Sequence, residues 1–278
     1  SSVKLTIVRE GLEDPIEVEV TRDVIKLTAA KVRIDDDIVI MRVTTFNEQT
    51  IPNLEDGMKA TLKKTGVNEP KGFVLDLRNN PGGLLSVAIS VTDLFLDQGE
   101  IVSTRDREGK GERYKASKGD IANGKPLVIL INAGSASASE IVAGALQDHQ
   151  RAIVLGTKSF GKGSVQSVLP MGQSGGIRLT TARYYTPSGR SIQALGVTPD
   201  VFLEFKRVEE KEEEKRRTFS EADLEGALSN DSLTDSEKEM LRKEELSFQE
   251  TKKRRDKDNQ LAHAIDLIEG LSVLSVKE

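Results

Sequence analysis

The chain has 278 residues, enough for one large or two modest domains whose core needs no covalent staples. It contains no Cys, which excludes disulfides, thiolate metal sites and a Cys nucleophile, and its two His stand too far apart in sequence to suggest a Ser-His triad or a His-rich metal centre. A formal charge of −5 gives no basic field for nucleic acid, and the absence of Trp with only 4% aromatic residues argues against stacking platforms.

Residues 3–8 and 16–20 alternate apolar and polar side chains around a Gly11-Leu12-Glu13-Asp14-Pro15 turn, which reads as a hairpin. Two strands alone are marginal in water, so this hairpin needs support from elsewhere. A further strand is predicted at 38–43, then a helix over 52–66 with Pro52 near its start and Gly66 after its end. The apolar run 73–77 is broken by Asn79-Asn80-Pro81-Gly82-Gly83, after which Leu84, Val87, Ala88, Val91 and Phe95 fall at helical spacing. The pattern repeats with a strand at 127–131, a turn over 132–135 and a helix carrying Ile141, Val142, Ala145 and Leu146. A strand at 153–155 leads into Gly161-Lys162-Gly163, and two β segments follow at 165–169 and 177–185. Such alternation predicts an α/β core.

The composition changes at Lys206. Eleven of the twelve residues 206–217 are charged, and charge stays dense to Asp258. Helical fragments are expected at 221–228 and 236–246, with a final amphipathic helix at 261–274. Acidic residues are interleaved throughout, so the segment reads as a solvated helical appendage rather than a phosphate-tracking surface. No window approaches the roughly 18 uninterrupted apolar residues of a membrane helix, and the chain reads as soluble.

Chemistry concentrates at the two strand-turn-helix junctions and the glycine-flanked lysine. In Asn132-Ala133-Gly134-Ser135-Ala136-Ser137-Ala138-Ser139-Glu140 small residues permit a sharp turn and leave a hydroxyl at a helix N-terminus, where free N–H groups suit developing oxyanion charge. The same serines can equally serve as plain helix caps. A serine nucleophile needs a base. His149 has a polar helix-end setting suited to capping, and His263 lies in the charged tail, which leaves Lys162 as the remaining base. Its alternative reading is an ordinary loop lysine. The Asn80-Pro81-Gly82-Gly83 turn is either an oxyanion site or a tight turn.

Three runs, Leu75-Asp76-Leu77-Arg78-Asn79-Asn80-Pro81-Gly82-Gly83, residues 134–145 and Ser159-Phe160-Gly161-Lys162-Gly163-Ser164-Val165-Gln166, together resemble the carboxyl-terminal processing (tail-specific) serine proteases. The resemblance continues through Tyr185-Thr186-Pro187-Ser188-Gly189-Arg190-Ser191-Ile192-Gln193 and Gly196-Val197-Thr198-Pro199-Asp200, covering roughly residues 1–205. It implies a Ser-Lys hydrolase with Ser137 as nucleophile, Lys162 as general base, Gln166 as the orienting third member, and the backbone N–H groups of Gly83 and Ala138 as oxyanion donors. No metal or organic cofactor is implied.

The expected organisation is therefore a partial PDZ β-hairpin (1–27, its last two strands), a crotonase-like α/β protease core (28–205) and a charged helical C-terminal region (206–278). Family members carry a whole PDZ domain, and its carboxylate-binding loop and groove helix find no match here. The expected function is endoproteolysis of polypeptides with exposed or unfolded C-terminal segments, in the bacterial periplasm or cell envelope. A second copy of the chain and the envelope surface are further expected partners, nucleic acid is not. The rival readings are a Ser-Lys amidase or esterase acting on small molecules and a non-catalytic peptide-binding scaffold.

Overall fold

A computed structural model describes residues 1–23, 28–172, 175–206 and 234–275. Strands β1 (Ser2–Ile7) and β2 (Ile16–Thr21) form the expected hairpin, a two-stranded sheet of its own. Its apolar residues Val3, Leu5, Ile7, Val18 and Val20 stay exposed, so the support that such a hairpin needs does not come from a core of the described residues.

The central sheet has six strands in the order β12 (Val201–Phe202), β9 (Ile153–Gly156), β8 (Leu127–Ile131), β5 (Gly72–Asp76), β4 (Ile38–Val43), β3 (Ala30–Asp35). All neighbours are parallel except β3 and β4, which pair antiparallel. Every residue of β5 and β8 is buried, which explains their unbroken apolar runs: parallel strands in mid-sheet are covered on both faces. Helices α1 (Thr50–Thr65), α2 (Leu85–Asp93) and α3 (Ala138–Asp148) join one face, where Leu75, Leu77, Ile129 and Ile131 meet Leu54, Val91, Ile141 and Val142. Gly66 ends α1 in the left-handed conformation, as its position in the sequence anticipated. A second sheet, β10 (Ser164–Pro170), β11 (Gly176–Tyr185), β6 (Glu100–Arg105), β7 (Arg113–Lys115), is wholly antiparallel. The sequence reading did not assign β3, β6, β7 or β12. In β3 the alternation of Ala30, Val32 and Ile34 was present, whereas β7 and β12 are too short to carry a pattern.

The charged tail needs correction. The fragment expected at 221–228 lies outside the described residues, and 236–246 falls within α4 (Asp235–Lys257). The last helix, α5 (Asn259–Ser275), is no solvated appendage. Leu261, Ala264, Ile265 and Ile268 recur at i, i+3, i+4, i+7 and are buried against Ile38, Ile40, Val74, Val128, Leu130 and Leu155, the second face of the central sheet. A Cβ at Gly72 would collide with the Ile268 side chain, so glycine there lets helix and sheet close. His263 points outward from the same helix and is exposed.

Replacing Ile265 by Ala is expected to cost about 2–5 kcal/mol, because the site is closed on both sides and collapses only partly. Val273, 66% exposed near the end of the same helix, should tolerate Ala within about 0.5 kcal/mol. Urea unfolding of both variants measures the difference.

Candidate active site

Strands β5 and β8 are parallel neighbours, with Asp76 level with Leu130, so the two turns that follow them emerge side by side. Side chains then stitch the turns together. Asn132 Oδ1 accepts the Asn79 N–H at 2.9 Å, while Asn132 Nδ2 donates to Asn79 Oδ1 at 2.9 Å. The Asn80 carbonyl accepts the Ala136 N–H at 3.0 Å and the Ser139 hydroxyl at 2.9 Å. Fully buried Asn80 donates to the Val43 carbonyl and accepts the Gly82 N–H, which fixes the Asn-Pro-Gly-Gly turn from within. A Cβ on Gly82 would stand 2.8 Å from the Ala136 oxygen, 2.9 Å from Ser137 Cβ and 3.0 Å from the Ala138 nitrogen, and its φ is +104°. Only glycine fits where the first turn lies on the second.

The three serines of the second turn have different roles. Ser135 and Ser139 are wholly buried, and their hydroxyls donate to the Leu77 and Asn80 carbonyls at 2.8 and 2.9 Å. They tie the two junctions together rather than cap a helix. Ser137 is half-buried at the N-cap of α3 with φ 55° and ψ −110°, a backbone conformation that is costly for a residue with a Cβ. Among the described residues, the N–H groups of Gly83 and Ala138 donate to no acceptor in the chain.

Glu140 organises the rest. It is fully buried, and its Oε2 accepts both the Ser137 N–H and the Lys162 N–H at 2.8 Å, which puts the two backbones within two hydrogen-bond lengths of each other. Its Oε1 accepts the Ser159 hydroxyl at 2.5 Å and the Gly161 N–H at 2.6 Å. The Phe160 N–H adds a bond to the Ser135 carbonyl at 3.0 Å. Sequence reasoning gave Glu140 no role; the Ser-x-x-Glu spacing of a capping box was the available signal. Lys162 is half-buried. Its flanking glycines serve close approach rather than looseness: a Cβ on Gly161 would lie 3.1 Å from the Ala194 carbonyl carbon at φ +93°, and one on Gly163 would strike the Gln193 nitrogen.

The structure thus brings Ser137, Ala138, the Gly82-Gly83 turn and the Lys162 backbone together. It does not join Gln166 to them: that side chain is exposed on β10, beside a bulge, and makes no hydrogen bond among the described residues. His149 closes the far end of α3, about 18 Å from Ser137 by helix rise, with Nε2 2.7 Å from the Glu100 carbonyl oxygen. Among the described residues no group of three or more His, Asp or Glu is arranged to hold a metal ion.

A buried ionic cluster supports the first turn from behind. Arg78 donates through Nε and Nη2 to Asp76 at 2.9 and 2.8 Å, and through Nη1 and Nη2 to Asp258 at 2.9 and 2.7 Å. Nη1 also reaches Gln260 Oε1 at 3.0 Å, and Arg42 completes the cluster at Asp76. Burial pushes the Asp76 carboxyl up, but the hydrogen bonds and charge of Arg78, with the charge of Arg42, outweigh it and hold that carboxyl below its ordinary value. A depressed carboxyl adds stability above its unfolded-state pKa, near 4, and loses it as pH falls through the native value. Asp76→Asn should therefore be clearly less stable than the parent at pH 7, with the gap narrowing below about pH 4. Denaturant unfolding from pH 7 to pH 3 checks this.

A model of peptidase family S41 matches residues 37–203. A Carboxy-terminal-processing protease of Bartonella bacilliformis is 51% identical over 227 residues, 81% of this chain and 52% of that protein. A Carboxyl-terminal-processing protease of Synechocystis is 40% identical over 209 residues, 73% of this chain and 48% of that protein. Among solved structures, a photosystem II D1 C-terminal processing protease superposes with a TM-score of 0.58 at 33% identity, covering 73% of this chain and 56% of its own. The chain spans about half the length of the curated relatives it matches.

Proposed function

This chain belongs to peptidase family S41, and from that premise we propose that it is a serine endopeptidase that cuts polypeptides at or near exposed, unfolded C-terminal segments. The observation that carries the reading is the shared Glu140 oxygen, which sets the backbone of Ser137 beside that of Lys162. The relatives named above, by their printed names, process the carboxyl ends of proteins. The core is read as crotonase-like and the β1–β2 hairpin as the end of a PDZ domain. By resemblance the compartment is the periplasm or cell envelope.

In the proposed reaction the Ser137 hydroxyl attacks the scissile carbonyl carbon as Lys162 Nζ takes its proton. The N–H groups of Gly83 and Ala138 receive the oxyanion. Collapse of the tetrahedral intermediate breaks the C–N bond, and the Lys162 ammonium returns the proton to the departing amine. Water, deprotonated by Lys162, then hydrolyses the Ser137 ester. Gln166, whose side chain is exposed and makes no hydrogen bond among the described residues, takes the role of orienting the lysine on the family pattern alone. The choice of Ser137 over Ser135 and Ser139 is supported by the hydroxyls of the latter two being buried and committed to carbonyls.

A lysine accepts a proton only as the neutral amine, and arginine has no accessible neutral form. Lys162→Arg should thus lose peptide hydrolysis as completely as Lys162→Ala, and Ser137→Ala should lose it by several orders of magnitude while staying folded. Ser135→Ala should behave differently: it takes one of two donors from the Leu77 carbonyl, leaves the Asn132 N–H unpaired and costs about 1–3 kcal/mol of stability. A fluorogenic peptide assay with circular dichroism, and mass-spectrometric mapping of a fluorophosphonate adduct to Ser137, test the assignment. A folded Lys162→Arg protein with near-parental turnover would overturn it.

A further inference from the structure

The chain is acidic overall, yet residues 150–199 contain no Asp or Glu and six Lys or Arg. This stretch carries Lys162 and continues into β10 and β11. Register places Ser164 of β10, Arg183 of β11 and Arg105 of β6 directly opposite one another, in one row across three strands. Ser164 lies two residues beyond Lys162. Like charges facing each other across a ladder are destabilising, and a carboxylate partner normally relieves them. At several other arginines that relief is present: Arg42, Arg113, Arg151, Arg190 and Arg254 each have an Asp or Glu partner. Arg105, Arg107 and Arg183 have none among the described residues. Arg105 instead lies over the Tyr185 ring, 4.3 Å from its centre, a stacking that holds the guanidinium in place and leaves its edge open.

These groups line one cleft of about 460 Å³ in the antiparallel sheet. The single carboxylate at its margin, Asp106, is engaged by its own turn, where its Oδ1 accepts the N–H groups of Glu108 and Lys110. Neighbouring strands are about 4.8 Å apart, so Arg183 and Arg105 stand roughly 5 and 10 Å from the Ser164 backbone. An extended peptide advances about 3.3 Å per residue, so the row lies about three to five residues from a bond held at Ser137 and Lys162.

We propose that the Arg105–Arg107–Arg183 cleft is a substrate subsite that binds acidic side chains three to five residues from the scissile bond. The proposal rests on the peptidase reading above. The cationic cleft draws Asp- or Glu-bearing segments toward the site and holds them by charge-assisted hydrogen bonds from the guanidinium edges. It selects among polypeptides and takes no part in bond cleavage.

The test compares the parent chain with Arg105→Gln/Arg183→Gln and Arg105→Lys/Arg183→Lys double variants. Two matched fluorogenic peptides are used, one with Glu and one with Ser at the three positions around that distance, with the Glu placed on either side of the cut. For the acidic peptide the Gln pair should raise KM about five- to twenty-fold with kcat unchanged, and the Lys pair should restore most of it. Raising salt from 50 to 500 mM should produce the same rise in the parent. The neutral peptide should show none of these effects. Equal changes for both peptides, or no change for either, would overturn the subsite. Should the parent hydrolyse neither peptide, fluorescence anisotropy with the labelled acidic peptide separates the two ideas. Binding lost in the Gln pair upholds the cleft as a site for acidic peptide segments while the peptidase reading fails, and absence of binding overturns the cleft's role itself. Preferential binding of a single-stranded DNA oligomer over the acidic peptide also overturns it.

Discussion

One buried carboxylate holds the site together. Glu140 receives four hydrogen bonds from two separate stretches of chain: one from the start of its own helix and three from the loop 159–162. A buried acceptor left unpaired costs more than a made bond returns, so each donor is locked in by the others. That mutual dependence is what holds Ser137 in its unfavourable backbone conformation. The strain at φ 55° persists because release would break the bond to Glu140 and separate the turn from the lysine loop.

The two junctions obey the same economy of polar groups. The side chains of Asn79, Asn132, Ser135 and Ser139 tie one turn to the other, while that of Asn80 holds its own turn to the Val43 carbonyl. What takes no part in tying the turns is a small set: the Ser137 hydroxyl, which faces the Glu140 N–H in the capping box of α3, the Lys162 side chain and two backbone N–H groups. Function resides in what the stitching leaves unused. Arg78, four residues before the first of the paired glycines, carries this order backward to Asp258 and Gln260 at the head of α5.

Much of this was legible in the sequence, for physical reasons. Strands β5 and β8 are buried on both faces and so read as plain apolar runs, and the glycines of both turns mark places where backbones touch. Other features were hidden. Local sequence could not tell Ser137 from Ser135 and Ser139, since the difference lies in carbonyls contributed by residues nearly sixty positions away. Glu140 looked like the end of a small-residue run, and its partners come from a loop twenty residues on. The final amphipathic helix was legible, but the density of charge after Lys206 made it pass for part of a solvated appendage, because nothing local says which surface its apolar stripe will cover. Strand β3 was simply a legible alternation left unread.

The position of α5 bears on how the chain is made. Until Leu261, Ile265 and Ile268 arrive, the sheet face formed by Ile38, Ile40, Val74, Val128, Leu130 and Leu155 has no cover. These strands are synthesised long before their lid, and at ribosomal speed the delay lasts seconds. During that interval a nascent chain presents a broad sticky surface, and Arg78 waits in it without Asp258. A messenger that ends before the codon for Asn259 would therefore yield a client for chaperones rather than a smaller folded protein.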